Sequence, residues 1–352
     1  MSGGVDSSVA AARVCERGLR AFAVTLAMWP TSAERMRDRG CCSIDAVEDA
    51  RRVAASLGLA HYVWNLEAEF ESTVIHEFED GYAGGTTPNP CVRCNERIKF
   101  GSLLQRAAAA GATHVATGHY ARVGRRGGGA TLHRARDARR DQSYVLHRLG
   151  QQQLHRAVFP VGGVASKAEL RTEAAARGLL TAAKPESQDL CFVEGSQTAE
   201  LERRLAGRFA PGPMLDRRGR RVGTHRGLPF YTVGQRSGLG IAPARPDASP
   251  VYVLELRPAS NTVVVGEREA LLRCSIEARS CSWVGPAPAA GAACAVQLRA
   301  HGAALRAVVT DAADDGIRLD LVEPAAQVSP GQAAVLYRDD EVIGGGVIAA
   351  AA

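Results

Sequence analysis

The chain contains almost no lysine: of its 43 basic residues, only Lys99, Lys167 and Lys184 are not arginine. The planar fork of arginine suits phosphate recognition, but GC-rich coding explains the same bias together with the abundance of alanine and glycine. The net charge of +6 is modest for a chain of 352 residues. Composition alone therefore does not establish nucleic-acid binding, although arginine clusters at 134–140 and 217–221 leave it open.

Long hydrophobic runs are also absent. The longest apolar stretches, at 21–29 and 287–296, are too short or too interrupted to span a bilayer, so we expect no membrane insertion. No basic leader precedes an apolar segment, which predicts that there is no secretion signal. The nine cysteines are odd in number and dispersed, which is typical of a reducing cytoplasm and not of a disulfide scaffold. The length predicts two or three domains.

The Walker A pattern is missing as well, but another phosphate-binding pattern opens the chain. The run S-G-G-V-D-S at 2–7 combines two glycines, which let the backbone approach an anion, with serine hydroxyl donors. The alanine-rich stretch at 9–17 predicts a helix whose positive end faces that anion. The run resembles the PP-loop of ATP pyrophosphatases. Such a loop ordinarily follows a strand, so either a strand precedes Met1 or the sheet lacks one, and the sequence leaves open whether the start is truncated.

Hydrophobic periodicity divides the chain into three parts. Up to about residue 200, apolar runs alternate with helical patterns, which predicts a doubly wound parallel sheet of the α/β class. The predicted strands lie at 21–26, 61–64 and 113–117, the predicted helices at 43–57, 95–110 and 166–178, and a hairpin turn at 127–129. From about residue 211, glycine and proline turns separate short strands, and the last part predicts a β-barrel. We expect domain boundaries at 1–203, 204–268 and 269–352.

Two cysteine motifs stand out, T-P-N-P-C-V-R-C-N at 87–95 and S-Q-D-L-C-F at 187–192. Other short motifs accompany them in order: I-K-F at 98–100, A-T-G-H-Y at 116–120, D-Q-S-Y at 141–144, G-Q-R-S-G-L-G at 234–240, P-G-Q at 330–332 and G-G-G at 344–346. Together they resemble the bacterial tRNA-specific 2-thiouridylases along essentially the whole chain. The resemblance implies a PP-loop domain, a small central domain and a C-terminal β-barrel, and an enzyme that replaces the C2 oxygen of a wobble uridine with sulfur.

The resemblance also implies a mechanism and a set of site residues. ATP would adenylate the carbonyl oxygen, Cys191 would carry a persulfide, and Cys94 would act as the nucleophile that ends in a transient disulfide. The implied ATP-binding residues are Met1, Ser2, Gly3, Gly4, Val5, Asp6, Ser7, Leu26 and Gly118, with Asp6 helping to hold Mg²⁺. The implied tRNA-binding residues are Asn89, Pro90, Cys91, His119, Arg140, Asp141, Gln142, Arg299 and Gln332. The implied partners are tRNAs for glutamine, lysine and glutamate, and a cysteine desulfurase or sulfur-relay protein.

The sequence departs from the family pattern and leaves alternatives open. Some family members carry aspartate at the position of Cys91, and members have a tyrosine where Ala300 follows Arg299. Cys91-x-x-Cys94 has the spacing of half a zinc site, but no second C-x-x-C or H-x-H pair completes it. An iron–sulfur cluster on Cys91, Cys94 and Cys191 is a rival to the persulfide mechanism. Two other functions compete, another PP-loop adenylating synthetase and an RNA-binding module without catalysis. The first gives no reason for the cysteine motifs, and intact Asp6, Cys94 and Cys191 argue against the second.

Overall fold

A computed structural model of the chain describes residues 1–28, 44–185, 190–193, 195–241, 249–313, 315–326 and 328–351. Its first part is mixed α/β, as predicted. In chain order the elements of this part are α1 (Val5–Glu16), β1 (Ala23–Ala27), α2 (Ile44–Ser56), β2 (His61–Asn65), α3 (Glu67–Phe70), α4 (His76–Ala83), α5 (Pro90–Arg93), α6 (Leu103–Ala109), β3 (Val115–Ala116), β4 (Ala121–Arg126), β5 (Gly129–Arg134), α7 (Gln151–Leu154), β6 (Ala157–Val158), α8 (Lys167–Ala176) and α9 (Gln197–Arg204).

The parallel strands form two pairs, with the start of the chain between them. β1 pairs with β2 and β3 pairs with β6, both in parallel. The amino terminus of Met1 donates to the Val24 carbonyl in β1, and the Thr25 hydroxyl donates to the Met1 carbonyl at 2.8 Å. On the other side, Gly118, two residues after the end of β3, packs against the backbone of Asp6. The start of the chain, which carries the predicted phosphate loop, therefore lies between the two strand pairs.

One long helix carries the first cysteine motif. A π-helical segment, Cys94–Ser102, joins α5 to α6 without a break. The prediction that this helix begins at Asn95 was wrong, because the side chain of Asn89 caps it by accepting the N–H of Cys91 at 3.1 Å, with Pro90 in the first turn. Cys91 and Cys94 therefore both lie in the first turns of the helix. A second π-helical segment, Glu71–Ile75, joins α3 to α4 in the same way.

The remaining strands form a small sheet and a closed barrel. The sheet contains β7 (Gly212–Leu215), β8 (Arg221–His225), β9 (Tyr252–Arg257) and β10 (Thr262–Gly266) in the order β8-β7-β10-β9. The barrel strands are β11 (Arg273–Trp283), β12 (Ala293–Gln297), β13 (Ala304–Ala313), β14 (Gly316–Ala325), β15 (Ala333–Arg338) and β16 (Glu341–Ala351). Pairing of β11 with both β14 and β16 closes a six-stranded barrel, which confirms the predicted architecture.

The hairpin of β4 and β5 belongs to the barrel's sheet and not to the parallel strands. Gly127 and Gly128 form its turn in left-handed conformations, as predicted. However, β5 then pairs with β16, since His133 lies opposite Glu341 and the N–H of Arg134 donates to the Asp340 carbonyl at 2.8 Å. One hydrophobic core includes side chains from both sides of this junction. No pattern in the sequence indicated this shared sheet.

Two further predictions concern local features. The predicted capping box of α8 is confirmed in its first half, because the hydroxyl of the N-cap Ser166 accepts the N–H of Glu169 at 3.2 Å. Its second half differs, because the Glu169 carboxylate accepts the N–H of Ala165, one residue before the N-cap, at 2.9 Å. Among the helices of the described ranges, none has the length and hydrophobicity needed to cross a membrane.

Candidate functional site

The loop before α1 is built by glycines at positions where a side chain would collide. Gly3 has a left-handed φ of 66°, and a Cβ there would overlap the carbonyl of Ala46 in α2. A Cβ on Gly118 would lie 2.7 Å from both the carbonyl carbon of Asp6 and the nitrogen of Ser7. The Ser7 hydroxyl donates to the Gly4 carbonyl at 3.0 Å. The loop is thus held tightly from two sides, with its backbone at the amino end of α1, where an anion is favoured.

Asp6 in the first turn of α1 is fixed by two donors from distant elements. Its Oδ1 accepts the Lys167 ammonium at 2.6 Å and the Tyr120 hydroxyl at 2.8 Å. The Lys167 side chain is only 11% exposed, and its Nζ lies 5.7 Å from the centre of the Tyr120 ring. A carboxylate and a lysine cation therefore stand side by side at the start of α1. This pair is suited to a phosphate group accompanied by a divalent cation.

His119 connects the end of β3 with the helix of the first cysteine motif. The Nε2 atom of His119 lies 3.4 Å from the Nζ of Lys99, and its Nδ1 lies 2.8 Å from the Thr117 hydroxyl. Because an ammonium can only donate, Nε2 is the acceptor and Nδ1 carries the proton. Burial, aided by the charge of Lys99, lowers the pKa of His119 well below its ordinary value, so the ring is neutral at pH 7. The predicted tRNA contact at His119 thus falls on a buried ring.

The three motif cysteines differ in exposure. Cys94 is buried, Cys191 is half-buried and Cys91 is exposed. Cys94 belongs to a hydrophobic cluster that includes Phe192, and Cys191 packs against the same cluster. The Asn95 side chain donates to the Cys91 carbonyl at 2.9 Å, which fixes this part of the helix. Positions 187–189 of the second motif lie outside the described residues.

The cysteines do not form a set of metal ligands. Within the part of the chain that the structure describes, no group of three or more histidine, cysteine, aspartate or glutamate side chains is placed to hold a metal ion. Cys91, Cys94 and Cys191 all lie within the described ranges. As placed there, they do not provide the ligand set of the iron–sulfur cluster or of the zinc site, both of which stay predictions from the sequence.

The loop before Asn89 is held by both of the other parts of the chain. The N–H of Thr87 donates to the Pro330 carbonyl at 2.8 Å, and the Thr87 carbonyl accepts from Nε2 of Gln332 at 2.7 Å. The Thr87 hydroxyl donates to that of Thr232, in the central part of the chain, at 3.4 Å. Gln332, predicted to contact tRNA, is therefore also a contact between the barrel and this loop.

Asp141, another predicted tRNA contact, is almost covered by the protein. Its carboxylate accepts the Arg134 guanidinium at 2.8 Å, the N–H of Ala135 at 2.9 Å and the Ser143 hydroxyl at 2.8 Å. Only 6% of the Asp141 side chain is exposed. The guanidinium of Arg134 also lies 3.5 Å above the centre of the Tyr337 ring in the barrel. Asp141 is thus arranged to orient Arg134 and not to reach a ligand directly.

Gln297 continues this arrangement to the predicted tRNA contact at Arg299. Its Oε1 accepts from Arg134 at 3.0 Å, and its Nε2 donates to the carbonyls of Arg299 at 3.1 Å and Ala300 at 3.0 Å. Gln297 is 4% exposed, whereas Arg299 is on the surface. Asp141, Arg134 and Gln297 therefore form a continuous polar chain that supports the turn bearing Arg299.

Comparisons with known proteins cover the whole of the chain. Residues 1–195 match a family described as tRNA methyl transferase HUP domain, residues 200–267 match its PRC-barrel domain, and residues 273–348 match the aminomethyltransferase β-barrel domain. The chain is 49% identical over 350 residues to tRNA-specific 2-thiouridylase MnmA of Acidothermus cellulolyticus, a match that spans 99% of this chain and 96% of that protein. Proteins of the same name from Beutenbergia cavernae and Chloroflexus aurantiacus are 48% and 47% identical, over 99% of this chain and 93% and 97% of theirs.

The chain belongs to the tRNA-specific 2-thiouridylase family. In this chain, the predicted site residues fall into separate places. Those at the phosphate loop are Met1, Ser2, Gly3, Gly4, Val5, Asp6 and Ser7, joined by Gly118. Asn89, Pro90, Cys91 and Cys94 lie at the start of one helix, where Cys191 packs against the same cluster as Cys94. Leu26 lies in β1 opposite Trp64, Gln142 accepts the N–H of Tyr120 at 2.9 Å, and Arg140 is exposed.

Several residues that support the site were not predicted from the sequence. Lys167 was one of them, although the small number of lysines in the chain could have indicated that each one has a specific contact. Each of the three lysines makes a specific polar contact: Lys167 with Asp6, Lys99 with His119, and Lys184 with Asp49 at 2.5 Å. Arg134 stood out only as part of the arginine cluster at 134–140. The sequence carried no signal for its contact with Gln297, because the two residues lie far apart in the chain.

Proposed function

We propose that this protein is an ATP-dependent tRNA sulfurtransferase that converts the wobble uridine to 2-thiouridine. The observation that carries the proposal is the connection between the two chemical centres. The phosphate loop touches Gly118, the next residue His119 contacts Lys99, and Lys99 lies on the helix of Cys94. Membership in a family of proteins named tRNA-specific 2-thiouridylase supports the same function.

In this proposal the phosphates of ATP lie over the amino end of α1. The Ser2 hydroxyl and the backbone N–H groups at the amino end of α1 would donate to phosphate oxygens, and Lys167 would offset their negative charge. Asp6 would help hold Mg²⁺, which takes oxygen ligands from carboxylates and phosphates, neutralises the leaving pyrophosphate and needs only one or two protein groups. The uridine O2 attacks the α-phosphorus, the bond to the bridging oxygen breaks, and pyrophosphate leaves. The C2–O2 group then carries AMP, which is a good leaving group.

The sulfur step uses the two cysteines of the apolar cluster. The terminal sulfur of the Cys191 persulfide attacks C2, and the C2–O2 bond breaks to release AMP. The Cys94 thiolate then attacks Sγ of Cys191, the persulfide S–S bond breaks, and 2-thiouridine is released. The two cysteines are oxidised to a disulfide while the transferred sulfur is reduced. The surrounding apolar side chains would limit hydrolysis of the adenylate by water.

The tRNA would reach this centre with the target base out of its stack. A pocket at Asn89 to Cys94 would receive the extruded uridine, while exposed Arg140 and Arg299 would contact the RNA backbone. The substrates would be the tRNAs for glutamine, lysine and glutamate, in the cytoplasm. A cysteine desulfurase or a sulfur-relay protein would load Cys191. The proposed domains are 1–203 for adenylation and sulfur transfer, 204–268 for the small central domain and 269–352 for the barrel.

The test is a thiolation assay with purified protein. Unmodified tRNA, ATP, Mg²⁺ and a persulfide source are supplied, and 2-thiouridine and pyrophosphate are measured. We expect thiolation by the wild type and by Cys274→Ser, a control at an exposed cysteine outside the two motifs, but not by Cys94→Ser or Cys191→Ser. Pyrophosphate release should persist in both inactive variants, because adenylation precedes sulfur transfer. Thiolation by Cys191→Ser, or its absence in the wild type, would contradict the proposal.

A further inference from the structure

The first motif contains a second thiol, Cys91, that the proposed reaction does not use. It is separated from Cys94 by two residues and lies on the same continuous helix. The two differ sharply in access, since Cys94 is 7% exposed and Cys91 is on the surface. A buried thiol and an exposed thiol are therefore placed one helical turn apart.

This difference matters at the end of the catalytic cycle. The proposed function leaves a disulfide between Cys94 and Cys191, and both residues pack in the cluster that contains Phe192. Reduction requires a thiolate to reach one of the two sulfurs in line with the S–S bond, so burial slows attack by a large reductant. Cys191 must also become free before it can accept a new persulfide. A thiol inside the protein that attacks this disulfide would remove both obstacles.

Cys91 is close enough to act on Cys94. Residues three apart on a helix have Cβ atoms about 5–6 Å apart, and a disulfide needs about 3.5–4.5 Å. The required movement is thus about 1–2 Å in the first turn. There the N–H of Cys91 is held by a side chain, that of Asn89, and not by an intrahelical carbonyl. The geometry permits a Cys91–Cys94 disulfide without disruption of the long helix that follows.

We infer that Cys91 is the resolving thiol of this enzyme, an inference that rests on the proposed function. The Cys91 thiolate attacks Sγ of Cys94, the bond between Cys94 and Cys191 breaks, and Cys191 leaves as a thiolate with the electron pair. The exchange conserves oxidation state, since one disulfide replaces another. A dithiol reductant then supplies two electrons to the Cys91–Cys94 disulfide at the surface. Cys191 is free for reloading before that reduction takes place.

This role separates the chain from family members that carry aspartate at the same position. Aspartate can act as an acid or base but cannot form a disulfide, so such members would need the reductant to reach the buried pair. The two roles give opposite expectations for one substitution. If position 91 serves as an acid or base, Cys91→Asp retains full turnover, whereas a resolving role predicts that Cys91→Asp behaves like Cys91→Ser.

The test identifies the disulfide that remains after one turnover. Wild type, Cys91→Ser and Cys91→Asp are loaded with persulfide, allowed one turnover, quenched with acid, alkylated and digested with trypsin. Cleavage after Arg93 separates Cys91 from Cys94, so each pairing yields distinct linked peptides in mass spectrometry. We expect Cys91–Cys94 in the wild type and Cys94–Cys191 in both variants.

Repeated turnover provides the second readout. With a protein dithiol as reductant, both variants should turn over at least ten times more slowly than wild type, and a small reductant at high concentration should restore them. Wild-type protein that holds only Cys94–Cys191, or unchanged turnover in Cys91→Ser, would overturn the inference. If the wild type makes no 2-thiouridine, the proposed function fails by itself. The pairing is then read from protein oxidised with diamide, where the same linked peptides support or refute the exchange.

Discussion

Gln332 of the barrel donates from Nε2 to the carbonyl oxygen of Thr87 at 2.7 Å, two residues before Asn89. On the barrel side, Gly331 has a φ of 91°, and a Cβ there would lie 2.7 Å from the nitrogen of Thr87. The loop proposed to receive the target base is thus in direct contact with the opposite end of the chain. In the proposed function, binding of tRNA to the barrel would therefore be mechanically connected to placement of the base.

Removal of the Gln332 side chain should loosen this loop. Gln332→Ala loses one hydrogen bond, worth about 1 kcal/mol, so thiolation at subsaturating tRNA should fall about five-fold. Thiolation by Gln332→Glu should fall further, because its carboxylate would face the Thr87 carbonyl oxygen and the two acceptors would repel each other. Pyrophosphate release, single-turnover thiolation and tRNA affinity are measured beside Gln152→Ala, an exposed glutamine. Equal activity in all three variants would contradict this role.

The packing at Gly118 should be essential for the nucleotide site. In Gly118→Ala the new methyl group meets the backbone of Asp6 and Ser7 at 2.7 Å, so the phosphate loop must shift. We expect ATP affinity to fall at least ten-fold while tRNA affinity stays within two-fold of wild type. Gly163→Ala is the matched control, since a Cβ there meets nothing within 4 Å. Calorimetric titration with a non-hydrolysable ATP analogue measures the effect, and an unaltered affinity would place the nucleotide elsewhere.

The polar chain that ends at Arg299 should act through that arginine. Gln297→Met keeps a similar volume but removes the bonds to the carbonyls of Arg299 and Ala300. Arg299→Ala should weaken tRNA binding and reduce its salt dependence by about one phosphate contact. Gln297→Met should weaken it by a similar factor, and the double variant should be no weaker than Arg299→Ala. Additive losses in binding titrations would show that Gln297 does not position Arg299.

Stability should decrease on mild acidification because of His147. Burial lowers the pKa of His147 to about 4, opposed by its bond to the Tyr144 carbonyl, with Arg148, Glu96 and Arg93 nearby. Below pH 6.5 the unfolded chain binds a proton that the folded chain does not accept until about pH 4. The contribution is therefore fully present above pH 6.5, and roughly 3 kcal/mol of stability is lost as the pH falls through this window.

His147→Gln is the comparison for this prediction. Glutamine retains a donor for the Tyr144 carbonyl, which accepts from the histidine at 2.8 Å, but does not titrate. Urea denaturation at pH 7 and pH 5 should show a smaller loss in the variant than in the wild type. Buried His119, whose pKa is also lowered, contributes a similar pH dependence of stability to the wild type and to the variant. This contribution cancels when the two proteins are compared. The same pH dependence in both would contradict the assignment to His147.

Local patterns predicted the parts of the site but not the contacts between them. Two glycines before a small-residue helix indicated the phosphate loop, and alternating strands indicated the barrel. By contrast, Lys167 and Asp6 are 161 residues apart, and Arg134 and Gln297 are 163 apart. Their contacts depend on how separate elements pack, and no periodicity encodes that. The helix start at Pro90 was missed for a local reason, since the proline-rich run resembled a loop while Asn89 provided the cap.

The hairpin of β4 and β5 comes early in the chain, but it belongs to the sheet of the C-terminal barrel. A fragment that ends near residue 195 would expose β5 as a bare edge, a hazard for association with other chains. A fragment that starts near residue 273 would uncover the ring of Tyr337, which Arg134 now covers. We therefore expect each of these two segments to depend on the other for its folded stability. A destabilising substitution in either segment should lower the melting temperature of both together.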